Sequence, residues 1–114
     1  MSTPQENRRA ERVARSVMAR YRAGAQSTWL MSPLKDLSSG GARFLSEHPF
    51  TAGQVFELQL LLPTAPQPIV VQAKVAWVKP APLQMVEMGV TFNPADAGIQ
   101  RLIDESVAHF LKKR

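Results

Sequence analysis

Hydrophobic and polar residues alternate along most of this chain, in short runs punctuated by glycine and proline. In "SVMARYRA", residues 16 to 23, Val17, Ala19 and Tyr21 fall on one side and Met18, Arg20 and Arg22 on the other, the period of two of a half-buried strand. Gly24 ends the run. "STWLMSPLKDLS" reads as extended, with Pro33 marking an edge or a bulge because proline has no N–H to give to a ladder. After Gly40 and Gly41 comes a short apolar piece, "ARFL", and then "SEHPFTAG", in which Pro49 and Gly53 punctuate a turn. Two long strands follow. "QVFELQLLL" aligns Phe56, Leu58, Leu60 and Leu62, and "IVVQAKVAWV" aligns Val71, Ala73, Val75 and Trp77, with the proline-rich "PTAPQP" as the hairpin connection between them. "KPAPL" then turns into "QMVEMGVTF", where Val86, Met88, Val90 and Phe92 share a face.

The period changes only at the end of the chain. Ile99, Leu102, Ile103, Val107, Phe110 and Leu111 follow the i, i+3, i+4 spacing of an apolar helical stripe. Asn93 as cap, Pro94 in the first position and Asp96 in the first turn place the start of this helix near residue 94 and its end near 112. Six strands with hairpin-length connections and one terminal amphipathic helix predict a mainly β protein, a small antiparallel barrel with the helix across one opening. Met18, Met31, Met85 and Met88 fall in strand-like runs and are expected to fill the core.

A length of 114 residues and 45% hydrophobic content suit one domain with its own core. Cysteine is absent, which removes disulfides, thiolate nucleophiles and cysteine-based metal sites. No apolar run has the roughly 20 residues needed to span a bilayer, and "MSTPQEN" lacks the apolar core of a signal peptide, so the expected location is cytoplasmic. The net charge of +5 favours anionic partners, and its distribution is uneven. Arg8, Arg9, Arg12, Arg15, Arg20 and Arg22 crowd the first fifth of the chain, while Lys112, Lys113 and Arg114 end it.

Catalysis finds little support. His48 and His109 have neither metal-ligand spacing nor a nearby nucleophile or carboxylate partner, and Ser38 and Ser39 lack a nucleophile-elbow pattern. No enzyme activity, cofactor or metal is expected. Arg8 and Arg12, separated by three residues, form the only arginine pair in the chain with that spacing. A guanidinium is a planar fork that grips a phosphate or a guanine edge and also stacks on a base, so two on one short segment can wrap a nucleotide; an ordinary solvated basic arm has the same composition. In "DLSSGG", residues 36 to 41, Asp36 can accept from the donors of a guanine, Ser38 can bond to base or phosphate, and Gly41 allows close approach of backbone to ligand. The same residues also suit an ordinary turn.

Taken together and in this order, RxxxR at Arg8 to Arg12 and DxSxxG at Asp36, Ser38 and Gly41 resemble the PilZ domain family. "VAWV" at 75 to 78, "MGVTF" at 88 to 92 and the terminal helix resemble its later strands and closing helix. The resemblance implies a six-stranded antiparallel PilZ-type β-barrel with a C-terminal α-helix, divided into a flexible arm over residues 1–12 and a barrel over 13–114. It implies a bacterial receptor for cyclic di-GMP, a ligand rather than a cofactor, acting in processes such as motility or biofilm formation. Arg8 and Arg12 would clasp guanines and phosphates with help from Arg9, while Asp36 and Ser38 read a base for which Gly41 makes room. Ordering of the arm would then alter interaction with a separate, unidentified protein. A monomer or ligand-linked dimer is expected, with nucleic acid as no partner. The alternatives are a ligand-independent adaptor of pilus or motility proteins and, behind it, a basic nucleic-acid-binding module.

Overall fold

The computed structural model describes residues 17–62, 65–93 and 97–112. The six strands are β1 (Met18–Arg22), β2 (Leu30–Ser38), β3 (Gly41–Ser46), β4 (Val55–Leu61), β5 (Ile69–Pro80) and β6 (Val86–Asn93), followed by helix α1 (Ala97–Lys112). They close into a barrel in the order β1-β2-β3-β6-β5-β4. Every pairing is antiparallel.

Alternation sets the inside of this barrel. Ala19 and Tyr21 of β1, Phe56, Leu58 and Leu60 of β4, and Ile69, Val71, Ala73 and Val75 of β5 are all buried, as are Ala42, Phe44, Met88 and Val90 of β3 and β6. Tyr21, Phe44, Phe50 and Phe56 form the aromatic part of the core, with Tyr21 and Phe44 centroids 5.2 Å apart and Phe50 and Phe56 4.7 Å apart. The Tyr21 hydroxyl is not wasted, since it accepts the Glu47 N–H at 2.9 Å.

Pro33 sits where β2 changes neighbours. It is opposite Met18 of β1, whereas pairing with β3 begins only at Leu34, so the missing N–H falls at a local edge within the closed sheet. The "ARFL" piece is a full strand, because Gly41 to Ser46 pair with β2 on one side and β6 on the other.

The helix is described from Ala97 on. Asn93 is the last residue of β6, paired with Gln72, and α1 begins at Ala97; Pro94 and Asp96 lie outside the described residues. Ile103 and Val107 are buried, and Ile99, Leu102, Phe110 and Leu111 pack against the core, so the predicted stripe does cover the barrel. The Gln100 side-chain amide donates to the Ser39 carbonyl at 2.8 Å, pinning the helix to the β2–β3 turn.

The methionines divide. Met88 is fully buried and Met85 half-buried, but Met18 and Met31 point outward, 36% and 50% exposed, because Ala19 and Tyr21 take the inner positions of β1 and Ser32 and Leu34 the buried ones of β2.

Candidate ligand-binding site

Two β-bulges build the outer face on which the DxSxxG residues sit. In β2, Leu34 lies opposite Phe44, yet Asp36 lies opposite Arg43, leaving Lys35 as the extra residue. Uninterrupted alternation from buried Leu34 would send Asp36 and Ser38 into the core. The bulge instead turns Leu37 inward against Ala42 and sets Asp36 and Ser38 on the opposite face, where both side chains are nonetheless largely covered. The same device acts in β5, where Val75 pairs with Val90 but Trp77 pairs with Gly89, leaving Ala76 over. Trp77, expected on the core face with Val75, is therefore an outward residue, 39% exposed.

These corrections place Asp36, Arg43, Gly89 and Trp77 in one row across β2, β3, β6 and β5, each opposite the next. Three interstrand steps make the row roughly 14 Å wide. The neighbouring row runs Ser38, Gly41, Thr91, Lys74. On the other side Glu87 stands opposite Lys79.

Charges interlock across this face. Arg43 Nη2 is 3.0 Å from Asp36 Oδ2, and its Nη1 is 3.4 Å from Glu87 Oε2. Glu87 also receives Lys35 Nζ at 3.5 Å and Lys79 Nζ at 3.9 Å. Both carboxylates are almost covered, whereas the cations stand in solvent, Arg43 at 41% and Lys79 at 61% side-chain exposure. Three cations and two carboxylates leave the barrel side of the site with an excess positive charge.

Ser38 Oγ donates to the Gly41 carbonyl at 3.2 Å, which closes the turn between β2 and β3. Gly41 has a reason of its own to be glycine: a Cβ there would run into the Val90 carbonyl of β6. Gly89 is constrained similarly, since a Cβ would occupy the place of the Trp77 indole, which lies over the bare backbone. The result is an aromatic surface beside Arg43, with the Lys79 ammonium 5.9 Å from the ring centroid.

Asp36, Ser38 and Gly41 thus come together at one end of β2 and β3. Arg8, Arg9 and Arg12 lie outside the described residues. Arg43, Glu87 and Trp77 were missed by sequence reasoning, and only their lateral register reveals them. Trp29, by contrast, is sequestered under Arg22, whose guanidinium carbon is 4.3 Å from the ring centroid and whose Nε bonds Glu57 at 2.7 Å. His48 and His109 are half-buried against Phe50 and Phe110, and among the described residues no cluster of His, Asp and Glu suits a metal. Two grooves of about 400 and 420 Å³ flank the Pro66–Pro68 turn beside α1 and contain none of the motif residues. The candidate site is an open sheet surface. No helix among the described residues is long and apolar enough to cross a membrane.

A barrel of this order, with DxSxxG turned outward at the β2–β3 end, defines a class. The PilZ domain model matches residues 6–109, and the chain belongs to the PilZ domain family. The fold agrees with solved structures of that family. The PilZ domain of YcgR from Escherichia coli, solved with c-di-GMP, superposes with a TM-score of 0.68 at 14% identity, covering 93% of this chain and 92% of that one. The inhibitor of motility MotI/DgrA from Bacillus subtilis gives 0.73 at 18% identity over 100% of this chain and 54% of that one. MrkH of K. pneumonia in complex with c-di-GMP gives 0.75 at 16% identity, over 93% and 52%. The chain therefore spans about half the length of several of the proteins it superposes on. No curated protein sequence matches it.

Proposed function

We propose that this protein is a cyclic di-GMP receptor that binds its ligand between the arginines of residues 8–12 and the outward row Asp36–Arg43–Gly89–Trp77. The observation that carries this reading is the bulge in β2, which spends a regular ladder position to present a carboxylate and a hydroxyl on the outer face. Asp36 supplies acceptors for the N1–H and N2–H donors of a guanine, Ser38 bonds to base or phosphate, and Trp77 offers a flat face. A carboxylate at Asp36 suits the paired donors of a guanine, which a continuous phosphate backbone does not offer.

The arm is within reach. The Leu34 N–H bonds the Val17 carbonyl at 2.8 Å, only two residues, or about 7 Å, along β2 from Asp36. Arg12 lies five positions before Val17, a stretch that spans at most about 18 Å. Ligand bound by arm and barrel together would shift the arm's population, and the surface so altered is what a partner protein reads. YcgR and MrkH have been solved with the same ligand, which supports the reading for a chain of the same family.

The test is calorimetric titration with cyclic di-GMP of the wild type, Arg8→Ala/Arg12→Ala and Asp36→Ala. Saturable binding is expected in the wild type, with losses of about tenfold or more in each variant as charge-assisted hydrogen bonds disappear. No heat from the wild type at millimolar ligand would overturn the receptor and favour a ligand-independent adaptor.

A further inference from the structure

We infer that Gln100 of α1 is a positioning residue of this site, which fixes the middle of the DxSxxG turn so that the Gly40 N–H meets an oxygen of the ligand. The inference rests on the receptor reading above.

The turn between β2 and β3 is held through its carbonyls. The Ser39 carbonyl accepts from Gln100 Nε2 at 2.8 Å, the Gly40 carbonyl accepts the Phe92 N–H at 2.9 Å, and the Gly41 carbonyl accepts from Ser38 Oγ at 3.2 Å. Three successive acceptors are thus satisfied by the helix, by β6 and by the motif's own serine. A donor is what remains. The peptide joining Ser39 and Gly40 is trans, so its N–H lies on the edge opposite its carbonyl and, with that carbonyl drawn to α1, points away from the helix. The Gly40 N–H has no acceptor among the described residues, and Gly40 is exposed.

Nothing in the fold requires glycine at position 40. A Cβ there would meet no atom within 4 Å, and its φ is not left-handed, unlike that of Gly53. Its neighbour Gly41, by contrast, is required by the Val90 carbonyl. The bare backbone at Gly40 therefore serves the surface above it, where it lets an oxygen acceptor approach an N–H in the turn that carries Ser38. A phosphate oxygen or a guanine carbonyl oxygen suits that donor.

Gln100 is itself held in orientation. Its Nε2 also donates to Asp104 Oδ1 at 2.9 Å, four residues along the same helix face, so both hydrogens of the amide are engaged and a flip would lose both bonds. Ile103 and Val107 bury the same helix in the core. A rigid element thereby sets one peptide plane of the ligand turn without touching the ligand.

The test is calorimetry with cyclic di-GMP on the wild type, Gln100→Leu, Gly40→Val and Ile103→Val, with Tm measured on each. Gln100→Leu keeps most of the side-chain bulk but loses both hydrogen bonds, and its Kd should rise about three- to tenfold. Gly40→Val screens the N–H with a branched side chain and should raise Kd by a similar factor, with Tm little changed because its Cβ enters open space. Ile103→Val removes one buried methylene from the same helix, and should lower Tm at least as far as Gln100→Leu does while moving Kd by less than about twofold. That split separates positioning from a merely structural role. Wild-type affinity in Gln100→Leu or in Gly40→Val, or a rise in Kd in Ile103→Val as large as in Gln100→Leu, overturns the inference, and a wild type that saturates normally leaves the receptor standing. A wild type that gives no heat overturns the receptor itself, and this inference with it.

Discussion

At the scale of single residues, the turn between β5 and β6 carries a cost unrelated to the ligand site. Leu83 and Gln84 both have positive φ, 61° and 62°, and Met85 N–H closes back on the Pro82 carbonyl at 3.2 Å. Two successive left-handed residues are what a tight hairpin with the twist of its strands requires, and Asn-Gly suits them far better than Leu-Gln. Leu83 is also 89% exposed, so its side chain recovers nothing by packing. Leu83→Asn/Gln84→Gly should therefore stabilise the protein by about 1–2 kcal/mol, read as a rise in Tm of several degrees. Unchanged melting would show that the hairpin tolerates the left-handed pair without strain. Asp36, Ser38 and Gly41 could be found by residue type and spacing alone, but the purpose of Gly41 could not. Its missing side chain accommodates the Val90 carbonyl of another strand, a demand that spacing does not express.

At the scale of elements, the bulges in β2 and β5 decide which face each side chain joins. Alternation predicted the inner faces of β1, β4 and β6 correctly, because nothing interrupts the period there. It failed for Trp77, since one inserted residue at Ala76 reverses every side chain that follows. Gly89 is the counterpart of that reversal, the floor on which the displaced indole rests. Gly89→Ala should lift Trp77 into solvent, shifting its emission to longer wavelength at a stability cost of about 1–3 kcal/mol. With Trp29 held under Arg22, the shift reports on Trp77. An unshifted spectrum would mean that the indole does not rest on Gly89.

At the scale of the whole molecule, closure of the barrel converts a basic chain into a site with a mixed field. The net charge of +5 alone suggests an undirected attraction for anions. In the folded barrel, Lys35, Arg43 and Lys79 are tethered to Glu87 within 4 Å, and Arg43 also to Asp36, so little of their charge is spent on bulk attraction. Between 50 and 200 mM salt, affinity for cyclic di-GMP should fall by no more than about twentyfold, whereas a polyanion held by six to ten phosphate contacts loses about 10³–10⁵-fold. A steep salt dependence, with cyclic di-AMP bound as well as cyclic di-GMP, would point instead to nonspecific phosphate binding.

What the sequence determined by itself is what depends on neighbours along the chain. The period of two made the strands, the period near four made the helix, and the DxSxxG spacing marked the end of β2 as chemically distinct. What only the tertiary structure decided is everything that runs across the strands. Arg43 meets Asp36, Glu87 gathers three cations, and Trp77 covers Gly89 because closing six strands into one sheet selects a register and places two bulges in it. Each strand's pattern is compatible with more than one lateral neighbour and offset. Only the simultaneous burial of all six inner faces chooses among them, and the outer row of the site is set by that choice.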